Sequence, residues 1–340
     1  MKRSDNASLK QLNSFAVEAR AAQLVEIERA EDLQVFAREF RFDRERDLIL
    51  GGGSNILFAG DIDGTVLLNR LVGRKVIDES DDTVLVEACA GENWHRLVEW
   101  SLEQGFSGLE NLSLIPGLAG AAPIQNIGAY GVELADVLES VETLDLADNS
   151  WRVFSADGCR LGYRDSRFKG VDADRYLVTR IRLRLQRRFT AKLTYPGLRS
   201  ELDSMGIIEP TAKQVSDAVV RLRLRKLPDP AVNGNAGSFF KNPLVTDGLA
   251  NALAQEHRDM PVYPATDGMR KLSAAWLIEQ CGWKGRRLGG AAVSEKHALV
   301  LVNRGNASGA ELLELATAIT DSVREVFAID LVPEPRIVRP

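Results

Sequence analysis

The stretch IPGLAGAAPIQNIGAYGVEL, Ile115 to Leu134, decides the reading of this chain. It holds four glycines (Gly117, Gly120, Gly128, Gly131), three alanines between Ala119 and Ala122, two prolines and one charge, Glu133. Glycine costs backbone entropy in a helix or strand, and proline removes a donor. Such a segment suits a loop whose backbone amides lie against an anionic ligand; a loop that only connects two elements is the plainer alternative. Upstream, Leu48–Asn55 reads LILGGGSN, a short strand running into a second glycine-rich loop. This is no dinucleotide fingerprint, because Ile56 holds the sixth position and Thr65–Leu68 reads as strand where that motif opens a helix. No P-loop occurs in the chain. Phosphate binding at Gly51–Asn55 therefore relies on clustered amides and not on a helix dipole; a tight strand-to-strand turn is the other reading.

Composition narrows the classes. A chain of 340 residues allows two or three domains, and a net charge of −5 argues against bulk nucleic-acid binding. No apolar run reaches the roughly 18 residues of a membrane span. Met1–Asn6 has charges without an apolar core behind them, so no signal peptide is expected. Cys89, Cys159 and Cys281 are odd in number and far apart, which fits a reducing cytoplasm. With only His95, His257 and His297, and no Cys-x-x-Cys or His-x-x-x-His, no metal site is expected.

Periodicity predicts strands at 21–28, 47–50, 65–68, 75–77, 84–88, 137–146, 151–154 and 297–303, with helices at 31–40, 91–104, around Leu249–Leu253, at 271–282 and at 309–327. Gly105 stands where a helix-ending glycine belongs, Ser273 reads as an N-cap, and Ser308 with Glu311 as a capping box. Two arginine-laced runs, Arg180–Leu185 and Val219–Leu224, alternate strictly and read as half-buried strands with a basic outer face; Lys213–Ala218 reads as a short helix between them. Leu193–Leu198 and Met260–Pro264 read as loops, and the prolines of Lys226-Leu-Pro-Asp-Pro230 mark a domain boundary.

Four segments carry chemistry. Gly162-Tyr-Arg-Asp-Ser-Arg-Phe-Lys169 presents Arg164, a group that stays charged and forks onto carboxylates; a surface ion pair is its plainer use. Asn233-Gly-Asn-Ala-Gly-Ser-Phe-Phe-Lys-Asn-Pro243 is small and flexible up to Ser238, then bulky, and no nucleophile elbow surrounds the serine. Tyr195 sits in the loop LTYPGL. Glu334 lies between Pro333 and Pro335, on stiff backbone.

Together these motifs resemble, from Leu9 to Ile337, the UDP-N-acetylenolpyruvoylglucosamine reductases, within the vanillyl-alcohol-oxidase-like FAD proteins. The Tyr195 insertion is similar to the type I form. The resemblance implies an α+β fold: a two-part PCMH-like FAD-binding region (1–72 and 73–227, the second part carrying the Tyr195 loop), a smaller α/β substrate-binding domain (228–328) and a C-terminal strand (329–340) carrying Glu334. It implies FAD contacts at Gly51, Gly52, Gly53, Ser54, Asn55, Pro116, Gly117, Gly120, Ala121, Ala122, Pro123, Gln125, Asn126, Gly128 and Gly131. It implies catalysis by Arg164, Ser238 (the proton donor) and Glu334, and substrate contacts at Tyr195, Lys226, Asn242, Tyr263, Lys271 and His297. The implied reaction is NADPH-dependent, FAD-mediated reduction of an enolpyruvyl UDP-sugar to UDP-N-acetylmuramate for peptidoglycan, in a cytoplasmic monomer with no nucleic-acid or membrane partner. An oxidase of the same superfamily shares the first two loops but has no need of Ser238, Tyr195 or Glu334; a non-catalytic flavin- or nucleotide-binding regulator is the remote alternative.

Overall fold

The computed structural model describes residues 1–265 and 268–339; Thr266, Asp267 and Pro340, which fall within the expected domain ranges, lie outside the described residues. Two compact units are present, and they interleave in sequence. The first takes Met1–Ala7, Ala21–Gly53 and Ile62–Leu224; the second takes Ser8–Arg20, Ser54–Asp61 and the chain from Arg225 onward.

In the first unit, a four-stranded sheet runs in the spatial order Lys2–Ser8, Arg20–Ile27, Ile62–Asn69, Leu48–Leu50, and the last three strands are parallel. Parallel strands need a crossover, supplied by helix Ala30–Glu39, whose Leu33 and Phe36 are buried. A five-stranded antiparallel sheet follows in the order Trp151–Ser155, Leu138–Asp145, Tyr176–Gln186, Thr83–Cys89, Arg74–Glu79. Ile181, Leu183 and Leu185 face its core, together with Val84, Val86 and Ala88, against Trp94, Leu97 and Val98 of helix Trp94–Glu103. That helix is capped by Asn93 and followed by Gly105 at φ 80°. The arginines of the same strand do occupy its other face, but not as a bare basic surface. Arg180 pairs with Glu142 at 2.6 Å, Arg182 with Glu87 at 2.9 Å and Arg184 with Glu139 at 3.0 Å.

The second arginine-laced run is not a strand. Val219–Leu224 lies inside one helix, Ala212–Lys226. Val215, Ala218, Val219 and Leu222 are buried at helical spacing, packing with Leu198, Leu202 and Tyr130. The alternation of arginine with leucine satisfied a period of two locally, while the longer window carries the helical stripe. A short helix, Leu198–Ser204, follows the Tyr195 loop directly.

In the second unit, strand Ile56–Phe58 pairs in parallel with Arg336–Val338, and Phe15 meets Phe239 edge-on at 6.2 Å. These long-range pairings draw residues 8–20 and 54–61 into this unit, which contiguous boundaries do not anticipate. Helix Gly309–Phe327 has the Ser308/Glu311 capping box and buries Leu312, Leu315, Ile319 and Val323. Helix Ala274–Gln280 is capped by Ser273 at 3.3 Å from the Trp276 amide. Lys271 and Leu272, expected in that helix, belong instead to strand Met269–Leu272, which pairs with Val262–Pro264 inside the expected loop. The strand expected over 297–303 is confined to Leu301–Asn303. The chain is thus an α+β fold, and among the described residues no helix is long and apolar enough to cross a membrane.

Candidate active site

The two glycine-rich loops meet in the first unit. A Cβ built on Gly52 lies 3.2 Å from the Gly117 Cα, and one on Gly51 lies 3.8 Å from the Ala121 Cβ. Gly53 and Gly117 hold φ values of 61° and 111°, which disfavour other residues. Among the described residues no backbone carbonyl accepts from the amides of Gly52, Gly53 or Gly117. A glycine-lined seam whose amides have no backbone acceptor fits a pyrophosphate of FAD.

The expectation of bare amides fails farther along the stretch. Ala119 donates to the Glu92 carbonyl at 2.8 Å, Gly120 to Ala90 at 2.9 Å and Ala121 to Leu118 at 3.0 Å, within the 3₁₀ turn Ala119–Ile124. A Cβ on Gly120 would stand 2.4 Å from that of Ala90. This glycine lets two segments of the protein close on each other. The Asn126 side chain is likewise occupied. It accepts from the Ala135 amide at 3.0 Å and donates to Glu133 at 2.7 Å and to the Gly162 carbonyl at 3.1 Å.

Arg164 stands at φ 54° beside this network. It donates from Nη2 to the Gly128 carbonyl at 2.6 Å and from Nη1 toward Asn126 O at 3.5 Å. Ser166 Oγ donates to Ile124 O at 2.7 Å. The Gly-Tyr-Arg motif therefore buttresses the glycine-rich stretch while holding one guanidinium in a fixed pose. Tyr195 meets Tyr130 edge-on at 4.8 Å, and Thr194 Oγ1 lies 3.2 Å from a Cβ built on Gly131. Asn111, which the sequence reading passed over, fixes this loop: its Nδ2 donates to Tyr130 O at 2.8 Å and to Lys192 O at 2.9 Å. A lone buried asparagine carries no sequence pattern that would mark it. Glu133 was visible as the only charge of its stretch.

In the second unit, Ser238 and Glu334 come from paired segments. Phe239 N donates to Leu299 O at 2.7 Å, Glu334 N to Phe239 O at 2.8 Å, and Lys241 N to Val332 O at 2.9 Å. Asn55 joins them, its Nδ2 3.4 Å from Glu334 O and its carbonyl accepting from Arg336 N at 3.0 Å. Phe239 and Phe240 are buried beneath this pairing, as the bulky end of the motif suggests. Gly234 faces Phe15, whose carbonyl oxygen would be 2.2 Å from a Cβ. Gly237, at φ 70°, has open space around it.

The remaining substrate candidates form pairs within the same unit. Tyr263 and Lys271 are direct cross-strand partners. Asn242 Oδ1 accepts from the Ala274 amide at 3.0 Å, so its oxygen serves the start of helix Ala274–Gln280. His297 Nδ1 accepts from Leu299 N at 3.2 Å. Burial first, then the nearby Lys226 ammonium, holds its pKa below the usual imidazole value, which leaves a neutral ring with Nε2–H as donor. Arg164 and Tyr195 thus belong to the first unit, and Ser238, Lys226, Asn242, Tyr263, Lys271, His297 and Glu334 to the second. Among the described residues no cluster of metal-ligating side chains occurs.

Comparison with known proteins bears on what this arrangement serves. The model of an FAD binding domain matches residues 21–155, and that of the UDP-N-acetylenolpyruvoylglucosamine reductase C-terminal domain matches residues 229–338. The chain is 49% identical to a UDP-N-acetylenolpyruvoylglucosamine reductase of Burkholderia cenocepacia, covering 95% of this chain and 93% of that one. It is 48% identical to the enzyme of that name from Pseudomonas aeruginosa, covering 98% of each. Among solved structures, UDP-N-acetylenolpyruvylglucosamine reductase from Thermus caldophilus superposes with a TM-score of 0.65 at 26% identity, over 99% of this chain and 98% of that one. Kinship of this extent sets aside both the oxidase and the non-catalytic regulator. With its flavin-binding model, its reductase domain model and nearly half its sequence shared over almost its whole length, the chain belongs to the UDP-N-acetylenolpyruvoylglucosamine reductase family and is an FAD-dependent reductase.

Proposed function

We propose that the protein reduces the enolpyruvyl ether of UDP-N-acetylglucosamine to the lactyl ether of UDP-N-acetylmuramate, with NADPH as reductant, as a cytoplasmic monomer supplying peptidoglycan precursors. Gly51–Gly53 with Gly117, whose seam the backbone forms, would hold the pyrophosphate of FAD. When bound, FAD supplies hydride to C3 of the vinyl group.

This chain's own residues manage charge and proton. An enol ether is electron-rich, so hydride addition needs charge drawn into the substrate carboxylate. Arg164, its guanidinium held by Gly128 and Asn126 carbonyls, stabilises that charge. Glu334, in its protonated form, shares a hydrogen bond with it. Ser238 delivers a proton from its hydroxyl to C2; the carbanion-like carbon is a strong base, which offsets the weakness of a hydroxyl as an acid. Tyr195 caps the nucleotide, and Lys226, Tyr263, Lys271 and the Nε2–H of His297 contact the UDP-sugar, with Asn242 contributing its amide nitrogen.

The observation that supports this reading best is the main-chain pairing of 239–241 with 332–334, which brings two remote motifs side by side. Anaerobic stopped-flow absorbance on Ser238→Ala tests it. The flavin is expected to bleach with NADPH and to fail to recover colour on addition of the enolpyruvyl sugar. Recovery at the wild-type rate removes Ser238 from the chemistry.

A further inference from the structure

The start of helix Trp94–Glu103 clasps the glycine-rich stretch on both sides of Gly117. Ala119 N donates to Glu92 O at 2.8 Å and Trp94 N to Gly117 O at 3.1 Å. The buried Trp94 indole donates to Leu112 O at 3.0 Å. The fourth tie is made by an imidazole: His95 Nδ1 accepts from the Leu114 amide at 3.0 Å. Leu114 holds φ 58°, in the left-handed region that leucine avoids, so an outside constraint must keep it there. A backbone N–H can only donate, so Nδ1 carries no proton and the ring is neutral, with its hydrogen on Nε2. Burial first, opposed by Glu99 and aided by Arg223 and Lys213, holds the His95 pKa below the usual imidazole value. Glu99 Oε1 stands 3.6 Å from Nε2. Glu92 and Glu110, in the adjoining turns, accept from the Gly73 and Gly108 amides at 2.6 Å each. Of the four ties, the one at His95 is the one that a proton breaks.

We propose that His95 is a positioning residue for the flavin, latching Leu114 through Nδ1 and so fixing the run that carries the Gly117 amide of the pyrophosphate seam. The inference rests on FAD seating in that seam and adds a residue that the proposed reaction does not use. Leu114 lies three positions before Gly117, whose other side is already held by backbone bonds. An imidazolium has N–H groups on both nitrogens, so Nδ1–H would face the Leu114 N–H, donor against donor. Its charge would be drawn to Glu99 instead. With the latch open, Leu114 is free to leave the left-handed region, and the Gly117 amide loses its fixed place. The flavin-holding form therefore favours the neutral ring, and flavin affinity falls as pH drops through the His95 pKa of the folded protein.

Ultrafiltration of the flavin-loaded protein at fixed dilution, with flavin fluorescence read in the filtrate, tests the latch between about pH 7.5 and about pH 5, where the circular dichroism spectrum holds. Wild type is expected to bind flavin about tenfold more weakly at the acid end. His95→Asn presents Oδ1 where Nδ1 stands and does not titrate. It is expected to match the wild-type Kd at the neutral end and to keep it at the acid end. His95→Leu leaves the Leu114 amide without its acceptor and is expected to raise the flavin Kd about ten- to a hundredfold at both ends. Acid weakening of equal size in wild type and His95→Asn, or none in wild type, overturns the inference, as does a wild-type Kd in His95→Leu. If His95→Leu fails to fold, as judged by its melting curve, the comparison of wild type with His95→Asn decides alone. A wild-type protein that holds no flavin at the neutral end sinks the flavin seam itself, whereas a failure confined to the pH profile or the variants concerns His95.

Discussion

Glu334 donates its backbone N–H to the carbonyl of Phe239 at 2.8 Å, and the residue before that carbonyl is Ser238. Ninety-six positions separate the proposed acid from the proposed proton donor in sequence, yet one main-chain bond sets their spacing. Because the bond is made by backbone, substitution of the side chain leaves the pairing in place. Glu334→Gln is therefore expected to retain the native circular dichroism spectrum while turnover of the enolpyruvyl sugar falls by about 10²–10³, the usual cost of losing one preorganised group at developing charge. Steady-state NADPH oxidation checks this; near-normal kcat in Glu334→Gln takes the carboxyl out of the mechanism.

Gly120 and Gly237 look alike in sequence but face opposite surroundings. A methyl on Gly120 meets Ala90 Cβ at 2.4 Å and its Cα at 2.9 Å, with backbone that cannot step aside. Gly120→Ala is expected to destabilise the protein by about 1–3 kcal/mol through overpacking and to lower flavin content after purification. A methyl on Gly237 meets nothing within 4 Å, but the residue holds φ 70°. Gly237→Ala is expected to cost about 1–2 kcal/mol, from backbone strain alone, with full flavin content. Thermal melting with the ratio of flavin to protein absorbance separates the two; equal flavin content in both variants contradicts the role given to Gly120.

Much of this was legible because local signals agreed with tertiary ones. Ser308 and Glu311 announce helix Gly309–Phe327, and its buried positions follow the expected stripe. Asn233–Pro243 stood out in the sequence by its change from small to bulky residues, but the reasons for its glycines did not: Gly234 answers to Phe15, over two hundred residues upstream. The misreading at Val219–Leu224 has a local cause, since alternating leucine and arginine fits a strand until Val215 and Ala218 are counted with it. Arg223 was hidden by the same alternation. Read as the outer face of a strand, it is one more solvated arginine; on a helix it is turned inward, with its Nε enclosed.

Asn111 is the clamp between the glycine-rich stretch and the Tyr195 loop, holding Tyr130 O and Lys192 O with one amide. Asn111→Ala leaves both carbonyls without that donor, at a cost of about 1–3 kcal/mol. The loop base is then no longer tied, so KM for the enolpyruvyl sugar is expected to rise more than kcat falls. Asn111→Asp keeps the shape but places an acceptor against two carbonyls, and is expected to be no better than alanine. Michaelis parameters for both variants check this; a kcat defect with unchanged KM argues that the loop does not depend on the clamp.

Glu110 offers a test by pH. It is 3% exposed and accepts from the Gly108 amide at 2.6 Å. Burial raises its pKa above the ordinary glutamate value, with the Gly108 N–H opposing the shift only in part. As pH climbs past about 4.3, the carboxyl of the unfolded chain ionises first, so the unfolded state binds fewer protons than the native one. Native stability owed to this group therefore falls with rising pH until the folded carboxyl also ionises, and is level beyond that. Glu110→Gln keeps an oxygen for the Gly108 amide and removes the ionisation. It is expected to be more stable than wild type at pH 7 and to lose that advantage below about pH 4, where both forms of the wild-type glutamate are neutral. Urea denaturation at pH 7 and at the acid end measures the difference; a gain of the same size at both pH values would show that packing, not burial of charge, governs this position.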